Sequence, residues 1–137
     1  MSEQTNLTKS YLALFNFLLL SKRNLIIAAE KFKLTPIQSI TLLLLDESRP
    51  MNNFTKIFHC DASNTTGIMD GLEKKKLVGR FESPNDRRVK MIKITAKGED
   101  IRNALLSSQT DEDSFIPKKL TDAELTTFIK LIEKITA

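Results

Sequence analysis

LVGRFESPNDRRVKMIKIT, residues 77–95, decides the fold. LVGRFES and RVKMIKIT are short runs rich in valine, isoleucine and phenylalanine. Pro84-Asn85-Asp86-Arg87 separates them, and proline and asparagine punctuate turns. The stretch therefore predicts a β-hairpin. Its tip, SPNDRRVK (83–90), sets an acid directly before two arginines.

Upstream, residues 62–76 predict a helix, with Asp61 as a cap whose carboxylate also suits the positive helix end. A short helix precedes it at about 53–58, with Phe54, Ile57 and Phe58 inward. Thr35 and Pro36 open another, Thr35 as N-cap and Pro36 in the first turn, which ends before Pro50. Residues 8–32 form the first helical segment, with Leu14, Phe15, Leu18 and Leu19 at helical spacing and Phe17 and Leu20 on a second face. Downstream, Thr95 caps a helix to about Ser108. SSQTDEDSFIPKK (107–119) reads as a loop or frayed helix end. Thr121 and Glu124 form a capping box before a last helix carrying Leu125, Phe128, Leu131, Ile132 and Ile135. Two short helices, a turn, a longer helix and a hairpin make a winged helix-turn-helix. The predicted fold is mainly α with a small β-hairpin wing. It forms one domain over 1–137, in which 34–98 is the DNA-binding lobe and the flanks 1–33 and 99–137 are dimerisation helices.

Composition agrees. The chain has 137 residues, 41% of them hydrophobic, which suffices for one cored domain. Four glycines and four prolines are too few for a turn-rich all-β protein. One cysteine, Cys60, excludes an internal disulfide, and one histidine leaves no metal-ligand set. There is no nucleophile motif or glycine-rich phosphate loop, so no enzyme class and no cofactor is indicated. Cys60 reads as a small buried residue of the helix-turn-helix turn. YLALFNFLLL (11–20) resembles a signal-peptide core, but Lys22 and Arg23 follow it without a small-residue cleavage site. At ten residues it is shorter than the about 20 that span a bilayer, so the chain reads as cytoplasmic, without a membrane partner.

Charge is unevenly placed. Residues 61–98 hold nine Lys and Arg against five acids, which equals the whole chain's net +4. A basic block on a folded domain is the footprint expected for a polyanion partner. Stepping residues 62–76 by 100° puts Thr65, Ile68, Met69 and Leu72 on a core face. Ser63, Thr66, Gly67, Asp70 and Lys74 lie opposite, flanked by Asn64 and Gly71. Such a face suits the major groove, with hydroxyls for phosphates or base edges; a plain solvated face is the competing reading. Gly67 and Gly71 each cost roughly 1 kcal/mol inside a helix. Either they permit close approach to DNA or they reflect ordinary drift. Asp70 would repel phosphates unless engaged, and Lys74, one turn on, can pair with it.

These residues resemble the MarR family of bacterial transcriptional regulators. The match runs from Leu34-Thr35-Pro36-Ile37-Gln38 through Thr66, Asp70, Leu72-Glu73-Lys74-Lys75, Leu77-Val78 and Arg80. It continues through Ser83-Pro84-Asn85-Asp86-Arg87-Arg88 to Ile94-Thr95-Ala96-Lys97-Gly98. Lys76 departs from the glycine that usually closes the recognition helix, and Gly67 stands where a larger residue is common. The resemblance implies a homodimer on a palindromic operator of double-stranded DNA, and a pocket for a small aromatic or phenolic effector between the dimer helices and the lobe. It also implies that Arg88 enters the minor groove with Asp86 as its orienter. Arg87 is the expected phosphate contact, and Lys90 extends the same basic strand. The wide apolar faces at 11–26 and 125–135 read as a dimer seam. Two alternatives stay open: an Asp86–Arg88 surface ion pair with no further role, and a winged-helix module for protein contact that has lost DNA binding.

Overall fold

The computed structural model describes residues 2–107 and 119–137. The described chain runs α1 (Ser2–Lys31), α2 (Pro36–Leu43), β1 (Arg49–Pro50), α3 (Met51–Phe58), α4 (Ala62–Lys74), β2 (Val78–Glu82), β3 (Lys90–Ile94), α5 (Ala96–Ser107) and α6 (Asp122–Thr136). Most of the expected loop at 107–119 lies outside the described residues.

Local chemistry sets most boundaries. Thr35 accepts from the Gln38 backbone N–H at 3.3 Å while Gln38 Oε1 accepts from the Thr35 N–H at 3.0 Å, a full capping box. Asp61 caps α4 through the Asn64 N–H at 2.8 Å. Thr121 and Glu124 form the expected second capping box. Thr95 opens α5 by accepting from the Gly98 N–H at 3.1 Å, and its hydroxyl donates to the Lys76 carbonyl at 2.7 Å.

Three helices end in one way. Lys33, His59 and Lys76 are left-handed, with φ of 56°, 49° and 63°. Behind each, the next residue's N–H reaches back a full turn: Leu34 to Ala29 at 3.0 Å, Cys60 to Thr55 at 3.4 Å, Leu77 to Leu72 at 3.0 Å. These are Schellman ends, which usually carry glycine. None of the described glycines is left-handed.

The sheet is antiparallel in the order β1-β3-β2, with Arg80 opposite Ile92 and Glu82 opposite Lys90. β1 extends the predicted hairpin to three strands. It pairs Arg49 with Ile92 and Pro50 with Met91. Proline is tolerated there because β1 is an edge. The core gathers Leu42, Leu45, Phe54, Met69, Leu72, Leu77, Val78 and Ile92 from helices and sheet, with Ala29 and Leu34 joining from the end of α1. Phe54 points inward as expected and Phe58 is half-buried, but Ile57 is exposed, which corrects that expectation.

α1 differs most from the sequence reading. It begins at Ser2 rather than at 8, and only its last third packs on the lobe, through Asn24, Ala28 and Ala29. Leu7, Tyr11, Leu12, Leu14, Phe15, Leu18, Leu19 and Leu20 are exposed. Phe17 turns instead onto α6, its ring 5.9 Å from Phe128 in an edge contact. Ile129, Leu131, Ile132 and Ile135 on α6 are exposed as well. The stretch Thr5–Lys31 is by length and composition long and apolar enough to cross a membrane, a longer apolar segment than the ten residues 11–20 read from the sequence. A helix that packs in a soluble core passes the same test.

Candidate nucleic-acid interface

α4 turns one face into the lobe and one to solvent. Thr65, Met69 and Leu72 are buried and Ile68 is half-buried, so the helical phase read from the sequence is the observed one. Ser63, Asn64, Gly67, Asp70 and Lys74 are exposed. Thr66 is half-buried, and its hydroxyl donates to the Ala62 carbonyl at 2.9 Å. Below them Thr65 ties the helix-turn-helix together: its hydroxyl meets Thr55 Oγ1 at 2.9 Å and Cys60 Sγ at 3.3 Å. Cys60 is thereby half-buried in a polar cluster at the turn, rather than fully buried.

Asp70 is engaged, but not by Lys74. Arg80, on the adjacent strand β2, donates from Nη2 to Asp70 Oδ1. Arg80 Nε also lies 3.1 Å from Glu73 Oε2, as an ion pair rather than an aligned hydrogen bond. The partner from another element wins because a guanidinium spans two carboxylates one helical turn apart, while a lysine one turn along is a single mobile charge. Arg80 is the residue that local reasoning missed; no sequence spacing connects a strand residue to a helix ten positions earlier.

The glycines have different surroundings. A Cβ on Gly71 would meet Gln38 Nε2, the end of a side chain on α2, at 2.8 Å, so Gly71 faces α2 and does not share Gly67's outlook. A Cβ on Gly67 would meet nothing within 4 Å.

At the wing tip the chain turns over Asp86 to Val89, where the Val89 N–H donates to the Asp86 carbonyl at 3.0 Å. Arg87 and Arg88 therefore occupy the corner, two residues later than the turn read from the sequence at Pro84–Arg87. Asp86 Oδ1 accepts from the Arg88 backbone N–H at 3.0 Å, the Asx geometry that favours aspartate before a turn. The same carboxylate grips the guanidinium: Arg88 Nε donates to Oδ1 at 3.2 Å and Nη2 to Oδ2 at 3.3 Å. Hydrogen bonds from the Arg88 side chain and then its backbone hold the Asp86 carboxyl below the usual carboxylate range. The Arg88 side chain nevertheless stays 91% exposed. Arg87 is exposed, and Lys90 Nζ pairs with Glu82 across the strands at 3.3 Å. A cleft of about 250 Å³ opens between α3, the start of α4 and the wing, lined by Met51, Asn52, Thr55, Ala62, Thr66, Arg88, Val89 and Lys90.

A helix-turn-helix followed at once by a β-hairpin, with the second helix and the hairpin tip side by side on the surface, defines a winged helix-turn-helix protein. Known proteins carry the same arrangement. The MarR family profile matches residues 34–90. YpoP of Bacillus subtilis (strain 168), an uncharacterized HTH-type transcriptional regulator, is 33% identical over 99 residues, 69% of this chain and 68% of that protein. The HTH-type transcriptional regulator BilQ of Clostridioides difficile (strain CD3) is 26% identical over 101 residues, 72% of this chain and 68% of that one. The crystal structure of a mutant MarR from E. coli complexed with operator DNA shares the fold, with a TM-score of 0.70 at 22% identity over 96% of each chain. The chain belongs to the MarR family and is a transcriptional regulator of the helix-turn-helix type.

Proposed function

We propose that the protein binds a palindromic operator as a homodimer and represses transcription until a small ligand releases it. α4 would lie in the major groove, with Ser63, Asn64, Thr66, Gly67, Asp70 and Lys74 toward the DNA. The wing would reach the minor groove through Arg88, with Asp86 as its orienter and Arg87 and Lys90 near phosphates. The carrying observation is the Asp86 grip on a guanidinium that is otherwise in solvent. A free arginine loses rotamer freedom on entering a groove; one already fixed loses less. A narrow minor groove, with its strong negative potential, is the target that such an arginine suits.

The exposed apolar faces of α1 and α6 support the dimer. They occupy the two chain ends, away from α4, and a two-fold partner covering them would set two recognition helices about 34 Å apart. For the effector, the resemblance implied a site between the dimer helices and the lobe. The cleft between α3, α4 and the wing also combines the cations of Arg88 and Lys90 with the apolar Met51 and Val89. That lining suits an aromatic acid, and a ligand held there would compete with the wing's place on DNA.

The test is titration of the chain's own upstream intergenic DNA by fluorescence anisotropy, at two salt concentrations, with and without aromatic acids. Expected are salt-dependent binding and a loss of at least tenfold for Arg88→Ala. Absence of salt-dependent binding to any promoter duplex points instead to a winged-helix module for protein contact.

A further inference from the structure

The exposed face of α4 has an unusual chemistry for a helix in a basic block. Its exposed residues are Ala62, Ser63, Asn64, Gly67, Asp70, Glu73 and Lys74. Asp70 and Glu73 are held by Arg80, which removes that arginine from base reading as well. Lys74 is ten positions beyond Asn64, about 15 Å along the helix axis. A recognition helix of this type presents its N-terminal residues to base edges. On that half there is no arginine or lysine, the side chains that read the two acceptors of guanine. Ser63 and Thr66 carry single hydroxyls, while Asn64 is the one residue there with a planar amide whose separate donor and acceptor match adenine N7 and N6 bidentately. Its backbone N–H is pinned to Asp61 at 2.8 Å, while its exposed carboxamide has no partner among the described residues.

Asparagine is short, so the helix must seat closely for it to reach. Gly67 lies three positions on, on the same face, where a Cβ would meet nothing. No packing among the described residues asks for glycine there, yet the helix forgoes the propensity of alanine. A missing side chain beside Asn64 lowers the surface at the place where close seating is needed.

We propose that α4 reads an adenine in each operator half-site through the Asn64 carboxamide, and that Gly67 keeps the helix face low enough for that contact. The proposal rests on the DNA-binding reading above and names its target as an A·T pair.

The experiment begins with selection from a randomised duplex pool at fixed salt, using the full chain and the variants Asn64→Ala and Gly67→Leu. Each A·T pair of the selected site is then replaced by G·C, and each adenine by 7-deazaadenine, which lacks the N7 acceptor. Expected is one symmetric position where the protein prefers adenine by roughly 5- to 150-fold, with sensitivity to 7-deazaadenine. Asn64→Ala loses both at that position and keeps the other preferences. Gly67→Leu keeps its helical circular dichroism and thermal midpoint but binds the selected site at least tenfold more weakly. An unchanged base profile in Asn64→Ala overturns the adenine reading while leaving DNA binding intact. Undiminished binding by Gly67→Leu overturns the seating role. Failure of the wild-type chain to bind any duplex overturns the DNA-binding reading, and this one with it.

Discussion

Arg80 on strand β2 holds Asp70 on helix α4, and by the same side chain it meets Glu73 one turn along. One guanidinium thus joins the two parts proposed to meet DNA, helix α4 and the wing, and neutralises a carboxylate on the helix's outer face. Exposed ion pairs contribute at most about 1 kcal/mol to stability, so its effect should fall on binding. Arg80→Met is expected to shift the denaturation midpoint little and to weaken operator binding by about tenfold, because Asp70 and Glu73 then face phosphates unpaired. Adding Asp70→Asn should recover most of that loss. Anisotropy titrations of the two single variants and the double variant give the coupling. Additive losses would leave the pair with no role in binding.

Asp86 gives a pH prediction. Its folded-state pKa lies below the ordinary 3.8 because Arg88 bonds its charged form. For a depressed carboxyl the stabilising contribution is complete above the unfolded value of about 3.9 and fades as pH falls through the lower folded value. The clamp is therefore constant from about pH 5 upward, and any change in DNA affinity between pH 5 and 8 has another source. Carbon-detected NMR titration should place the Asp86 midpoint below 3.8 in the wild-type chain, and Arg88→Ala should move it upward. Equal midpoints in the two proteins would mean that the grip does not persist in solution.

Lys76 at the exit of α4 and Gly98 on α5, which packs against that exit, should respond to glycine in opposite ways. Lys76 is left-handed at φ 63°, a region costing an ordinary side chain about 1–2 kcal/mol. Lys76→Gly is expected to stabilise the fold by about 1 kcal/mol once glycine's extra unfolded-state freedom is offset. Gly98 lies under the Leu77 carbonyl, and a Cβ there would also come within 2.7 Å of Ile94 Cγ1. Gly98→Ala should cost about 1–3 kcal/mol. Urea denaturation of the two variants reads both signs.

Much of this architecture is legible in the sequence because its signals are local. Thr35 with Pro36, Thr121 with Glu124, and Asp86 two residues before Arg88 all act within one turn of chain. The structure places each of them as the residue types demand. What was not legible depends on distance or on missing punctuation. β1 is two residues long and contains proline, so only its partner strand makes it a strand. Asp70 has a plausible neighbour at Lys74, and nothing within α4 reveals that Arg80 outbids it. Ser2 and Thr8 are both favoured cap types, so residue type alone does not separate a helix starting near 2 from one starting at 8. Gly71 and Gly67 look equivalent by spacing, and only the position of Gln38 distinguishes them.

The apolar arms yield a prediction about assembly. Eight large hydrophobic side chains on α1 and four on α6 stand in solvent in the isolated chain, and apolar faces of this kind mark interaction surfaces. Sedimentation velocity at micromolar concentration is expected to show a dimer. Leu18→Glu combined with Ile132→Glu should shift it to monomer while leaving the lobe folded by circular dichroism. A wild-type monomer at that concentration would remove the two-fold arrangement.

The contact between Phe17 and Phe128 bears on how the protein is made. The lobe's core is built from residues close in the chain and can close while synthesis continues. Phe17 and Phe128 are 111 positions apart (128 − 17), so their contact closes a much longer loop than the contacts within the lobe. That contact covers Phe17 alone and leaves the neighbouring leucines and Phe15 of α1 exposed in the finished chain. Refolding of the chain is therefore expected to complete the lobe before the contact between α1 and α6.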